Sequence, residues 1–398
     1  MSDTDQARPV GVPLTTSSAT RTLGLAGAGM SLIAVCYGLA RFAYGLFVPA
    51  FRDTFALDAS RAGLIASAGY AAYCVGTVAA TVATPRLGAR AVAVAAGSLA
   101  TAGTALIALA PTGAVLALGV TIAGSSTGLA SPPLAHAIAL RVTQVRRDRV
   151  QTIVNAGTGL GVMVSGPVAL LAHDQWRAAW LVFAVLSAAV TVWVRFRVPD
   201  TSEDRPTATH TERGRSLPPG ALRLFGAAAV VGAASSATWT FGQELLDTVG
   251  GHSQALSTTA WIILGACGLS GAAAAELTRR VGLRRAWTIS MSAMCGATAA
   301  LAAAPQQAAV AVGGSAAFGA VYIALTGILL IWSTRIYPTR AAIGVGITFL
   351  LIAVGQSAAA PLLGLVADRT SLTTAFWISA ALALAGSAML PPARLPTA

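Results

Sequence analysis

The sequence predicts an all-α integral membrane protein of twelve transmembrane helices, built as two pseudo-symmetric six-helix bundles. Three observations carry this. Apolar residues make up 55% of the chain and charged residues 10%, where a soluble domain carries roughly a quarter charged, and mean hydropathy is +0.71. Twelve apolar runs can be read, separated by eleven short polar gaps. All 26 basic side chains are arginine; 21 lie in the tails and even-numbered gaps and four in the odd gaps. Positive charge is retained in cytoplasmic loops, so both termini are expected to be cytoplasmic. The remaining arginine, Arg41, lies inside the first run.

The spans are expected at about 23–50, 62–84, 91–110, 114–140, 150–172, 178–197, 221–246, 257–277, 286–304, 307–333, 341–366 and 373–391. Most reach the ~20 residues that cross hydrocarbon as a helix. Lipid supplies no hydrogen bonds, and no run alternates with the period of an outer-membrane strand, so helix is the expected state. Pro111-Thr112-Gly113 and Pro305-Gln306-Gln307 have room only for tight hairpins. Residues 1–22 carry Asp3, Asp5 and a Ser/Thr cluster without an apolar core, and are expected to be a cytoplasmic tail and not a cleaved signal peptide. Residues 198–220 are polar and rich in Pro, Ser and Thr, which predicts a flexible cytoplasmic linker. It separates bundles at 23–197 and 221–391, and 392–398 form the carboxyl tail.

The net charge of +12 does not point to nucleic acid, because no basic cluster is interleaved with aromatics on a polar surface. Arginines at span ends suit topology and anionic lipid head groups. Cys36, Cys74, Cys267 and Cys295 all fall in apolar runs without metal-site spacing, and are expected as free thiols. A chain without lysine cannot contain a phosphate-binding Gly-x-x-x-x-Gly-Lys-Ser/Thr loop. With no nucleophile triad and no metal cluster, neither an enzyme nor a cofactor or metal site is expected.

The two sets of six align at an offset of 194 residues. Arg86, Gly88 and Arg90 match Arg280, Gly282 and Arg284; Arg141 matches Arg335; Gly161 and Pro167 match Gly355 and Pro361; Asp174 matches Asp368. Parallel six-helix repeats with a site between them near the midplane are a transporter plan. On these residues the whole chain resembles the major facilitator superfamily. Arg86-x-Gly88-x-Arg90 is similar to the later half of its motif between helices two and three, with Pro85 at the acidic position and Thr81 at the leading glycine position. The second copy has Arg279 at the acidic position, and Glu276 three residues earlier is a candidate substitute. The resemblance implies a conformational-gating role for Arg86, Gly88, Arg90, Arg280, Gly282, Arg284 and Glu276. Asn155 to Gly161 with Gly166-Pro167 is similar to the glycine-rich helix five of antiporters. The first run looks like that of a bacterial subgroup with an arginine in helix one.

The resemblance also implies that helices one, four, seven and ten line the cavity. In the first, Tyr37, Arg41 and Tyr44 fall at i, i+4 and i+7 on one helical face. An arginine there costs about 2.5–3.5 kcal/mol at the span centre, so it either binds a polar or anionic substrate group or is structural, bonded to backbone carbonyls or snorkelling outward. It cannot give up its proton. In the seventh, Trp239, Gln243 and Glu244 are candidates. Burial favours the protonated form of a carboxylate, which fits Glu244 for proton coupling; the alternative places it solvated beside Asp247, and a pair with Arg41 is a further option. Ser126 is the candidate in the fourth, where Pro132-Pro133 predict a kink. His136 titrates near neutrality and is either a coupling group or an interfacial side chain. Tyr322 and Thr326 share a face of the tenth. Asn155 and Gln356 either join helices or face the cavity.

These readings predict a secondary transporter of the major facilitator type in a bacterial inner membrane, monomeric, moving a small organic molecule by alternating access. Proton-coupled export of a neutral or anionic compound is the first expectation. Organic-anion uptake or facilitated passage using Arg41, and a transporter-like sensor that no longer cycles, are the alternatives.

Overall fold

Each polar gap ends one helix and starts the next. The computed structural model describes residues 16–172, 175–201, 217–270, 274–338 and 341–392. Helix α1 is three consecutive stretches, Thr16–Ile33 and Ala43–Phe55 in α geometry with Ala34–Phe42 in π geometry between them. The rest of the first bundle is α2 (Ala59–Leu87), α3 (Ala89–Ala108), α4 (Gly113–Arg141), α5 (Gln144–Ala172) and α6 (Trp176–Arg197). The second begins with α7 (Ala221–Glu244), continued by a π turn, Leu245–Val249. Then come α8, in stretches Gln254–Gly268 and Ala274–Val281, α9 (Leu283–Ala303), α10 (Ala308–Ile336), α11 (Ala341–Arg369) and α12 (Leu372–Ser387). Asp174, linker residues 202–216 and tail residues 1–15 and 393–398 lie outside the described residues.

Several helices outrun the apolar spans. The first was expected to stop near residue 50, but α1 continues through Arg52 and Asp53 to Phe55. Its end is set by backbone chemistry instead. Ala56 adopts a left-handed φ of 50°, and Asp58 caps α2 by accepting from the Arg61 N–H at 2.7 Å. Thr112, Ser253 and Ser371 cap α4, α8 and α12 in the same way.

The duplication is visible in the backbone. Gly88 and Gly282 stand at φ 81°, ψ 157° and φ 82°, ψ 157°, a region that only glycine enters freely, and each turns the chain into the next helix. A Cβ on Gly161 would collide with the Ala34 carbonyl, pressing α5 into α1; one on Gly355 would collide with the Ala229 carbonyl, pressing α11 into α7.

The halves meet along α1 with α7, α2 with α11 and α5 with α8. Their close contacts lie from mid-helix toward the end opposite the termini. Asp368, at the end of α11, accepts the Ala59 and Ser60 backbone N–H groups at 2.8 and 2.7 Å, holding the start of α2. Ser67 donates to the Ser357 carbonyl at 2.7 Å. Trp261 donates its indole N–H to Ser165 Oγ at 3.0 Å. Arg52 pairs with Glu244. At the other end Arg141, Thr334 and Arg335, on the closing turns of α4 and α10, are exposed. The structure is therefore closed at the end away from the termini.

Candidate functional site

Arg41 sits in the π stretch of α1. A π turn carries one more residue per hydrogen-bonded ring than an α turn and often marks a functional position. Here the Cys36 carbonyl accepts a hydrogen bond from Thr127 of α4 at 2.9 Å, tying the stretch to its neighbour. The arginine Nη2 donates to Gln356 Oε1 of α11 at 2.5 Å, which joins the two halves. Four rings surround the guanidinium carbon, with centroids at 4.6 Å (Tyr73), 4.9 Å (Tyr70), 4.9 Å (Phe42) and 5.9 Å (Tyr37). These are cation–π distances. Nε of Arg41 is buried without an acceptor among the described residues.

Gln356 carries the site into the second half. Its Nε2 lies 3.4 Å from both Ser235 Oγ and Tyr322 OH. The Tyr322 ring meets Trp239 edge to face at 5.3 Å, and Trp239 stacks on Phe42 at 4.1 Å. The Trp239 indole N–H has no partner among the described residues. The free space beside Arg41, between α1, α2 and α4, is lined by Tyr44, Tyr70, Gly69 and Gly124 and is on the scale of one water.

Of the other expected residues, Tyr37 shares a 3.0 Å hydrogen bond with Ser131 of α4. Tyr44 donates to the Ala62 carbonyl at 2.8 Å. Ser126 and Thr326 bond back to their own helices, at Ala123 and Ile323. Gln243 contacts Asp247 through its amide at 3.3 Å, and Asp247 is also held by Ser257. His136 is half-buried on α4.

Glu244 requires a correction. It is neither solvated nor paired with Arg41. Its side chain is 6% exposed, and the ion pair it forms is with Arg52, one turn from the end of α1, because that is the cation α7 meets at this depth. Oε2 of Glu244 is buried without a partner among the described residues.

The loop residues act inside their own halves. Arg90 donates to the Val198 carbonyl at 2.8 Å and lies 3.8 Å from Asp200, pinning the exit of α6, while Arg86 bonds back to Val82. Glu276 pairs with Arg279 and Arg280 at 2.5 Å on its own helix, and Arg284 is exposed. Among the described residues no group of three or more His, Cys, Asp or Glu is gathered as a metal site needs.

Sequence reasoning missed Arg52, Phe42, Tyr70 and Tyr73. A signal existed for two of them. The chain has only six tyrosines, and Tyr37, Tyr44, Tyr70, Tyr73 and Tyr322 all border this site.

Among the described residues, ten helices are long and apolar enough to cross a bilayer, and with the shorter α12 and the two-stretch α8 they form two bundles joined at a polar cluster, the architecture of a secondary transporter of the major facilitator type. Residues 33–390 match the family described as "Uncharacterised MFS-type transporter YbfB", and the chain belongs to that family. It is similar in structure to a point mutant of the nucleoside transporter NupG, with TM-score 0.74 and 17% identity over 93% of this chain and 99% of that one. It is also similar to a bacterial homologue of the human lysosomal transporter Spinster in an inward-facing, occupied conformation, with TM-score 0.67 and 15% identity over 94% of each chain. The unoccupied inward-facing form of that homologue gives 0.69 and 14%, over 96% of this chain and 95% of that one. No curated protein sequence matches the chain.

Proposed function

We propose that this transporter exports a small neutral or anionic organic compound across a bacterial inner membrane in exchange for protons, with both termini cytoplasmic. The bodies that rock are residues 23–197 and 221–391, each working as a monomer's half, with Arg86, Gly88, Arg90, Arg280, Gly282, Arg284 and Glu276 bracing the loops that move with them. The observation that carries the reading is the Arg41–Gln356 hydrogen bond, which crosses the halves inside an aromatic enclosure. An embedded cation facing a neutral amide is an anchor for an anionic or strongly accepting group. Tyr37, Tyr44, Tyr322 and Trp239 supply apolar walls, with Ser126, Gln243 and Thr326 at the margin. Proton coupling is assigned to Glu244, with His136 as a second candidate. Protonation of Glu244 removes the charge that holds Arg52, freeing the closed end to open. Export is supported by the likeness of α5 to antiporters, and cytoplasmic termini by the arginine asymmetry. The nucleoside of the NupG neighbour is not carried over, because at 17% identity only the fold transfers.

The second reading is uptake of an organic anion without protons, favoured by the neutral surroundings of Arg41. Proteoliposomes containing a pH dye separate the two. Compounds are first chosen by thermal shift of the purified protein. Export with exchange predicts compound-dependent proton movement that disappears in Glu244→Gln while binding persists. Flux that is lost in Arg41→Ala but indifferent to a pH gradient establishes the second reading instead. Binding without any flux would mark a non-cycling sensor.

A further inference from the structure

The bond between Arg41 and Gln356 uses half of what the arginine offers. In a guanidinium, Nε–H and one Nη2–H leave the same edge in parallel, spaced to meet the two oxygens of one carboxylate. Gln356 presents a single oxygen, Oε1, to Nη2. The Nε–H beside it is buried and has no acceptor among the described residues. A buried charged donor left without a protein acceptor is costly, and the free space beside Arg41 is on the scale of one water, room for one small partner. The other half of the carboxamide is also weakly held, with Nε2 at 3.4 Å from each of Ser235 and Tyr322. The amide is therefore an imperfect internal ligand of a fork built for two oxygens.

The surroundings specify what the oxygens are attached to. Phe42, Tyr70 and Tyr73 lie within 4.9 Å of the guanidinium carbon, and Trp239 stacks on Phe42 with its own indole N–H unpaired. Flat rings set around a planar cation accept a flat, compact body.

We propose that Gln356 stands in for the carboxylate of a compact aromatic acid, and that the substrate carboxylate displaces the Gln356 carboxamide from Arg41 when it binds. The exchange gives Arg41 both oxygens of its fork. It also removes the bond that ties α11 to α1, so occupancy of the site and separation of the halves become one event. The proposal rests on Arg41 being the substrate anchor and adds the chemistry of the substrate and the identity of the group it replaces.

The test is equilibrium dialysis of radiolabelled benzoate against the full-length protein in detergent, with benzamide as competitor. Benzoate should bind saturably, and benzamide, which has one acceptor oxygen and no charge, should compete about 10- to 100-fold more weakly. Arg41→Lys keeps the charge but loses the fork, and should weaken benzoate by at least about tenfold. Gln356→Ala removes the internal competitor and should strengthen it by about 2- to 10-fold. Gln356→Glu places a carboxylate in the fork and should weaken it by at least about tenfold. A side chain that only packs α11 would make the two Gln356 variants behave alike, and that result overturns the exchange. Equal binding of benzoate and benzamide, both lost in Arg41→Lys, overturns the carboxylate while leaving Arg41 as the anchor. Absent benzoate binding overturns the proposal, and benzoate binding indifferent to Arg41→Lys overturns the anchor as well.

Discussion

The two halves of this transporter share a skeleton and differ in the chemistry they hold. At the common offset Gly38 and Gly161 correspond to Gly232 and Gly355, and each set lets the first helix of its bundle touch the fifth, backbone against backbone. The same offset places Arg41 on Ser235, Gln356 on Val162, Tyr37 on Val231 and Tyr70 on Leu264. The crossings are repeated, and the polar groups are not. Gln356 reaches both Arg41 and Ser235, so one side chain bridges the cation and its symmetry mate. Close packing constrains both copies alike, since a backbone-to-backbone crossing leaves no room for a side chain in either half. The midplane polar groups are free to diverge because a small asymmetric substrate gains nothing from a symmetric site.

The strongest way to break this comparison is to attack the skeleton in both copies. Gly161→Val and Gly355→Val each force a side chain into a carbonyl of the neighbouring helix. Each should cost about 1–3 kcal/mol or more, read as a fall in melting temperature of the purified protein in detergent, and the two falls should be similar. A silent change at one glycine beside a destructive change at the other would mean that the crossings are not equivalent.

A smaller effect is expected where the halves differ at their closed end. Arg52 and Glu244 form an ion pair across α1 and α7, and the symmetry-related positions are Leu246 and Ala50, so the pair has no second copy. Arg52 is 24% exposed and Glu244 6%. The cost of Arg52→Ala should therefore lie between the surface and buried limits, about 1–3 kcal/mol near pH 7. It arises chiefly from stranding the buried carboxylate, so Arg52→Lys, which keeps the charge, should cost less. Melting curves of wild type and the two variants read this directly. Equal losses in both variants would mean that the arginine does not stabilise through its charge.

How much of this was legible follows from what each feature depends on. The twelve helices and their duplication were open to reading because lipid forces every backbone group into a helix, and because glycines at fixed spacing survive as letters. Arg41 stood out because charge inside an apolar run is costly and has to be met by a partner. Its partners did not. Gln356 reads as one polar residue among several in α11, and only the crossing with α1 makes it a ligand. The π stretch is invisible in the letters, since it depends on how α1 is held by α4 and α5. Glu244 is legible as an embedded acid but its partner is not, because hydropathy ends the first span near residue 50 and leaves Arg52 in the loop. Helices end where capping ends them, and charged terminal turns remain available for pairing.

The smallest expected effect concerns two caps at the same end of the molecule. Asp58 starts α2 and Ser253 starts α8, each accepting a backbone N–H, from Arg61 at 2.7 Å and from Leu256 at 3.4 Å. Replacing either with alanine should cost about 0.5–1 kcal/mol, at the lower end of cap energies because both lie near water. The two should differ in their response to acid. The Arg61 backbone N–H holds the Asp58 carboxyl below its usual range; burial opposes it, and Ser60 and the charges of Arg61 and Arg52 add to the lowering. A carboxyl lowered by folding contributes stability that is complete above its unfolded value and lost as pH falls through the folded one. The Asp58→Ala penalty should thus fade in acid, while the Ser253→Ala penalty, resting on a hydroxyl that does not titrate, should hold steady. Equal fading of both in melts taken between pH 7 and strong acid would mean that the loss belongs to a global acid transition. It would then say nothing about a charged cap present in one repeat and a neutral one in the other.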